Sequence, residues 1–310
     1  MRSNFAPRIW RPGTTPVGDA KVDWSRPLAQ GLVSLLLVNG NSAVDVVSGL
    51  PGTYTTATPV GSARGAAMNF PAAGNVSFAS TAAIGPVGGI TIAAWINVAD
   101  FGTYRGIIGK TLSNYPAPYD FYLTGGGGVP SVFRGDGAAV RGYTALSAPA
   151  TGVWQHVVAQ VDSANTTGTF YLNGAANGTG SSTSSTGSTS VANGTGAALV
   201  GSRADGVTQF SGKIQSVTIY NRVLSATEVA QLYNDSFAFL VPAAPRTFFV
   251  GATIASAAPP PMRINFGARA PSIPESLAMF AAAAVITNPD TTRRGLLGQR
   301  RPQTTKGPGC

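Results

Sequence analysis

Glu228 and Glu275 are the only glutamates in this 310-residue chain, His156 is its one histidine, and Cys310, the last residue, is its one cysteine. Cleaving a glycosidic bond takes two carboxyl groups about 5–10 Å apart, one acting as acid and the other as nucleophile or base. Both glutamates instead sit three residues after a serine, Ser225 and Ser272, where a capping box opens a helix. Asp100, Asp120, Asp136, Asp162 and Asp205 stand singly, without the alternate-residue spacing that sets two carboxylates on one strand face. His156, in "VWQHVVAQV", has no nameable nucleophile or companion metal donors and reads as a satisfied strand histidine on the side of Trp154 and Val158. There is no G-x-S-x-G, P-loop or H-E-x-x-H. The residues therefore predict no enzyme, no metal and no cofactor. Cys310 leaves no internal disulfide and no thiolate metal site.

Recognition is the chemistry left open. The stretch "SNYPAPYDFY" (113–122) offers Tyr115 and Tyr119 as candidate glycan contacts, with Pro116 and Pro118 between them. The same prolines could simply stiffen a turn while the tyrosines pack. Arg293, Arg294, Arg300 and Arg301 come in pairs, but no aromatic residue follows Arg293 to stack on a base. Docking on an acidic protein surface is preferred over nucleic acid.

Charge is distributed unevenly. Residues 31–237 carry eight Lys/Arg and eight Asp/Glu, residues 1–30 five against two, and residues 238–310 eight against two, which makes up the net +9. A neutral centre between basic arms suggests segments that lie on a partner, with solvated tails as the plainer alternative. Charged residues are 11% of the chain, against about 25% in an ordinary soluble domain. The start lacks an apolar leader core, and residues 277–286 are too short to span a bilayer, so a protein finished in the cytoplasm without membrane insertion is expected.

The elements that must carry these residues are short strands. "GLVSLLLVN" (31–39), "GAAMNF" (65–70), "GITIAAWINV" (89–98), "RGIIGK" (105–110), "YDFYLT" (119–124), "WQHVVAQVD" (154–162), "GTFYLNG" (168–174) and "AALVGS" (197–202) are separated by Gly, Pro, Asn and Ser turns. That is the pattern of an all-β sandwich or barrel. Another strand, in which Ile214, Ser216, Thr218 and Tyr220 oppose Gln215, Val217, Ile219 and Asn221, runs straight into the helix capped by Ser225 and Glu228 and stapled by Leu224 and Val229. The Ser/Thr/Gly tract at 179–196 reads as a long mobile loop. Beyond Phe237 the chain turns Pro-rich, with one further helix expected at 273–285. Three parts follow: an extended basic N-terminal arm (1–30), the β domain (31–237) and a Pro-rich basic C-terminal arm (238–310).

The order "GLVSLLLVNGNSAVDVVSG", "ARGAAMNF", "ITIAAWINV", "GVWQHVVAQVDSANTTGTFYLNG", "AALVGS", "FSGKIQSVTIYNRVLSATEVAQLYN" resembles the laminin-G-like, concanavalin-type jelly rolls over roughly 31–237. The resemblance implies a two-sheet jelly-roll sandwich whose short helix caps it after the last strand. Members often bind calcium or sugar through acids in the final strand and early in the domain. Here those positions hold Gln215 and Asn39, and Asp45 alone is a poor calcium site, which takes six to eight oxygens.

The segment "VGDAKVDWSRPLAQGLV" (17–33) further resembles virion-associated proteins of tailed phages carrying this domain. That implies a non-enzymatic structural protein of the virion, a capsid decoration or tail accessory, displaying its jelly roll. Trp10, Phe248, Phe249, Arg293, Arg294, Arg300 and Arg301 would anchor it to other virion proteins, as a homo-oligomer in the assembly. The alternative is a carbohydrate-binding tail adhesin that recognises a host-surface glycan.

Overall fold

The computed structural model describes residues 11, 13–16, 20–71, 74–112, 115–136, 138–185 and 189–243. The chain divides into residues 1–248 and 249–310, and all the described residues lie in the first unit.

Nineteen strands and one α-helix follow along these residues. They are β1 (Ala20–Val22), β2 (Leu32–Asn39), β3 (Ser42–Asp45), β4 (Pro51–Thr55), β5 (Thr58–Ser62), β6 (Gly65–Phe70), β7 (Asn75–Phe78), β8 (Ile90–Val98), β9 (Arg105–Leu112) and β10 (Tyr115–Leu123). Then come β11 (Pro130–Gly135), β12 (Val140–Thr144), β13 (Gln155–Val161), β14 (Thr167–Leu172), β15 (Ala175–Ser181), β16 (Ser184–Ser185), β17 (Ala198–Val200), β18 (Gly212–Tyr220), α1 (Ala226–Asn234) and β19 (Leu240–Pro242).

All the ladders are antiparallel, and apart from the separate β1–β19 pair they form two sheets. One runs β15-β14-β13-β8-β18, with β2 and β6 sharing the far edge of β18. The other runs β4-β7-β17-β9-β10-β11-β12-β16. Strand β3 bridges from β2 to β4 and joins the sheets along one side. This is the expected all-β jelly-roll sandwich.

Alternation builds its core. Ile90, Ile92, Ala94, Ile96 and Val98 of β8 face inward, and Tyr119, Phe121 and Leu123 of β10 meet them from the opposite sheet. In β18 the phase slips by one at Gln215, where a bulge separates Ile214 from Ser216 in the ladder to β8. Ile214, Val217 and Ile219 therefore share the core, which the strict alternation expected from the sequence did not allow.

A second apolar cluster covers the outer face of the first sheet. Val229 and Leu232 of α1 pack there with Leu35, Leu37, Ala93 and Val158. Ser225 caps α1 in a full capping box with Glu228, and Leu224 is buried beside Val229 as the staple requires. Arg222 holds the same glutamate by two bonds, of 2.6 and 3.0 Å, and donates its Nε to the Gln30 carbonyl.

That cluster reaches beyond residues 31–237 on both sides. Val22, Leu28, Ala29, Phe237, Phe239 and Leu240 are buried within it, and β1 pairs with β19. Gln215 donates to the Gly13 carbonyl and to Thr15 Oγ1, both at 3.2 Å, and Thr15 N–H reaches the Arg64 carbonyl at 2.9 Å. The described part of the N-terminal arm is thus fixed on the sandwich, because its apolar side chains cover sheet that would otherwise face water.

The tract expected as a mobile loop is also structured in part. Thr179, Gly180 and Ser181 pair with β14, and Ser184 pairs with Gly142. Farther on, the buried ammonium of Lys110 binds Ser80 Oγ at 2.6 Å and the carbonyls of Gly194 and Gly196. Backbone pairing and one cation anchor a segment that has almost no apolar side chain to do so.

Candidate functional site

Among the described residues, no α-helix covers the outer face of the second sheet. Strand parity decides what it shows. Because Tyr119, Phe121 and Leu123 point into the core, Asp120 and Tyr122 point out; because Val132 points in, Ser131 and Phe133 point out. Tyr122 and Phe133 lie with ring centroids 5.4 Å apart, and Tyr104, just before β9, meets Tyr122 edge-on at 5.8 Å. Tyr104 is 48% exposed and Tyr122 is buried beneath it.

Arg203 lies over these rings, its guanidinium carbon 4.3 Å from the Tyr122 centroid and under 6 Å from those of Tyr104 and Phe133. Two devices hold it there. The hairpin that begins at Ser202 closes with Arg203 N–H on the Thr208 carbonyl at 2.9 Å, and Asp205 binds the tip through the N–H groups of Val207 and Thr208. That hairpin can lie on β9 only because residues 106 and 109 are glycines. A Cβ at Gly106 would come 2.1 Å from Arg203 N, and one at Gly109 2.1 Å from Ala204 N.

The second device is Asp120. Its Oδ2 accepts from Arg203 Nε at 2.8 Å and its Oδ1 from Ala204 N–H at 3.2 Å. Burial pushes the Asp120 carboxyl up to about 6, against the pull of the guanidinium. Burial also works against the charge on Arg203, but Asp120 outweighs it and holds the arginine raised. Arg203 Nη1 and Nη2 have no hydrogen-bond partner among the described residues, and they remain open to solvent.

Hydroxyls continue the face across the strands. Ser131 Oγ donates to Thr144 Oγ1 at 3.1 Å, and Thr144 Oγ1 lies 3.5 Å from Thr183 Oγ1. An aromatic shelf, a guanidinium with free donors and a ladder of hydroxyls can together stack on a sugar ring and hydrogen-bond its oxygens.

The sequence candidates fare differently. Tyr119 is corrected: it is fully buried between the sheets with its hydroxyl on the Ile84 carbonyl at 2.8 Å, so it cannot touch a ligand. Tyr115 opens β10, and its side chain is outside the described residues, as are Trp10, Phe248, Phe249, Arg293, Arg294, Arg300, Arg301, Cys310 and the helix expected at 273–285. Tyr104, Tyr122, Phe133 and Arg203 were missed. The signal for Tyr122 was present, since Phe121 and Leu123 mark the inward phase of its strand. Nothing in the sequence spacing joins Arg203 to them.

Asp45 forms a turn instead of a metal ligand set. Its Oδ1 accepts from Leu35 and Val47 N–H and its Oδ2 from Ser48 Oγ. Among the described residues, no three His, Cys, Asp or Glu side chains gather as a metal site would need.

His156 lies outside this face, under α1. It is buried, its ring 5.3 Å from that of Trp95, and its Nδ1 has no protein partner, so it is not the satisfied histidine expected. Burial, and secondarily Arg64, pull its pKa down to about 3. Arg64 itself lies 3.3 Å over Trp95, with Nε on Gln215. An open cleft lined by Ala82, Pro86, Val87, Asn193 and Asn221 offers amides but no aromatic ring.

Comparison with known proteins agrees with this architecture. The Laminin_G_3 family, described as the concanavalin A-like lectin/glucanases superfamily, matches residues 70–230. Domain 4 of AbnA, an extracellular arabinanase from Geobacillus stearothermophilus solved with arabinotriose, is similar at a TM-score of 0.50 and 18% identity, over 69% of this chain and 99% of that one. The binding domain of Paraclostridial Mosquitocidal Protein 1 is similar at a TM-score of 0.51 and 18% identity, over 68% of this chain and 53% of that one. The botulinum neurotoxin DC binding domain in complex with SialylT gives a TM-score of 0.52 at 12% identity, over 67% and 52%. The chain thus spans about half the length of these toxin domains. None of the curated proteins compared with it matches.

Proposed function

The chain belongs to the concanavalin A-like lectin/glucanases superfamily, and on that footing we propose that it is a non-enzymatic saccharide-binding protein of a tailed-phage particle that recognises a host-surface glycan through the outer face of its second sheet. One observation carries this reading: half-exposed Tyr104 beside Arg203, whose free donors lie over Tyr122 and Phe133. Of the solved structures similar in fold, two are binding domains and one was solved with a saccharide.

A binding role is favoured over hydrolysis because the carboxylates nearest the face are already engaged. Asp120 is buried against Arg203 and Ala204, and Asp205 binds its own hairpin. The virion setting rests on the likeness of residues 17–33 to phage structural proteins. In that setting the basic terminal segments, with Trp10, Phe248, Phe249 and the paired arginines, attach the sandwich to neighbouring virion proteins. A carbohydrate-binding adhesin is thus favoured over a purely structural decoration.

The test is adsorption. Purified chain should bind polysaccharide extracted from the host surface and compete with particle attachment, and Tyr104→Ala should weaken both while leaving the melting temperature unchanged. Equal binding by wild type and Tyr104→Ala would remove this face as the site. Limited proteolysis of the free chain and of the assembled particle tests the attachment: terminal segments protected only in the particle fit anchoring.

A further inference from the structure

We infer that the ligand of this face is an uncharged oligosaccharide of about three units laid across the strands, an inference that rests on the saccharide-binding reading above. Two independent features point there. The first is charge. Asp120 contacts and balances Arg203, and Asp205 adds a second carboxylate in the same hairpin. Asp120 takes only Nε of the guanidinium, its other oxygen being occupied by Ala204 N–H. The arginine therefore serves as a fixed pair of hydrogen-bond donors without surplus positive charge. Neutral hydroxyls and ring oxygens can accept from such donors, whereas an anionic sugar would meet Asp205.

The second feature is extent. Accessible groups run in one direction, from Tyr104 and Arg203 over β9, past Phe133 on β11, to Thr144 on β12 and Thr183 at the β16 edge, and the buried Asp120, Tyr122 and Ser131 support them from beneath. Neighbouring strands are about 4.8 Å apart, so the row from β9 to β12 covers roughly 14 Å. A linear sugar chain advances by about one strand spacing per unit, so about three units fill the row. Ser131, Thr144 and Thr183 hydrogen-bond laterally in a line across the strands, which suits a chain crossing them better than a single ring at one end.

The experiment is a glycan array printed with neutral, carboxylated, sulfated and amino oligosaccharides of one to five units, followed by calorimetry of the full chain with its best ligands at 50 and 500 mM salt. Affinity should rise about tenfold from one unit to three and then level off, favour the neutral form over its charged analogues, and barely change with salt. Thr144→Val, two strands away from Tyr122, should weaken binding of three units about threefold and leave one unit unchanged. Tighter binding of an acidic or basic series, with strong salt dependence, overturns the inference while saccharide binding itself stands. So does full affinity for a single unit, or a trisaccharide indifferent to Thr144→Val. If no saccharide on the array binds, both the inference and the reading beneath it fall.

Discussion

The guanidinium of Arg203 lies 4.3 Å above the ring of Tyr122, although the two are far apart in sequence and on different elements. Parity turns the ring outward, and the hairpin and Asp120 set the cation on it. Tyr104 completes the shelf and is its exposed member.

Removing that exposed ring should cost binding and little else. A well-placed aromatic contact contributes about 1 kcal/mol, so Tyr104→Ala should weaken saccharide affinity about fivefold. Thermal unfolding should match the wild type. A fall in melting temperature alongside the lost affinity would make Tyr104 a packing residue instead.

Gly109→Ala should move the hairpin without dissolving the sheet. The added methyl would come 2.1 Å from Ala204 N, so the hairpin must lift or β9 must bend, at a cost of about 1–3 kcal/mol. Saccharide binding should be abolished while the far-ultraviolet circular dichroism stays native. Retained full affinity would mean that the position of Arg203 does not matter.

Acid should expose the buried histidine. His156 is held neutral in the fold, with its pKa down to about 3 from 6.5. Below pH 6.5 the unfolded chain takes up a proton that the folded chain refuses, so stability falls as the pH drops from 6.5 towards 3. By pH 4.5 the loss from this one group is about 2–3 kcal/mol. Urea unfolding at pH 7 and 4.5 should show that loss in the wild type and a much smaller one in His156→Gln. Parallel losses in the two proteins would show that His156 is accessible or already charged.

The two outer strands should prove necessary to the domain. A fragment of residues 31–237 lacks Leu28, Phe239 and Leu240, all buried under the first sheet, and loses the β1–β19 pair. Burying a side chain of this size contributes about 1.5–3 kcal/mol, so the fragment should unfold more than about 5 kcal/mol more easily than residues 11–243. Comparing their denaturant midpoints checks this, and equal midpoints would restore the narrower boundary.

Much of this was legible along the chain. Residues 65–70 and 105–110 read as strands from short apolar runs between turn residues, and Ser225 with Glu228 marked the helix start, because each signal involves residues close together in the chain. The weak strands escaped for the same reason. Pro51–Thr55, Thr58–Ser62 and Ala175–Ser181 carry few apolar residues and are strands because their neighbours pair with them. Tyr119 and Tyr122 lie on one strand, and their odd spacing sends them to opposite faces, so a neighbouring proline says nothing about which of the two meets water.

The sequence by itself determined the class of fold and the capped helix that follows β18, since composition and short-range periodicity suffice for those. Only the tertiary structure decided which tyrosines face water, that Arg203 lies over Tyr122, and that both flanks of the β domain belong to its core. Each of these depends on residues brought together by strand pairing and burial across tens to hundreds of positions, and no local pattern in the chain records which partners will meet.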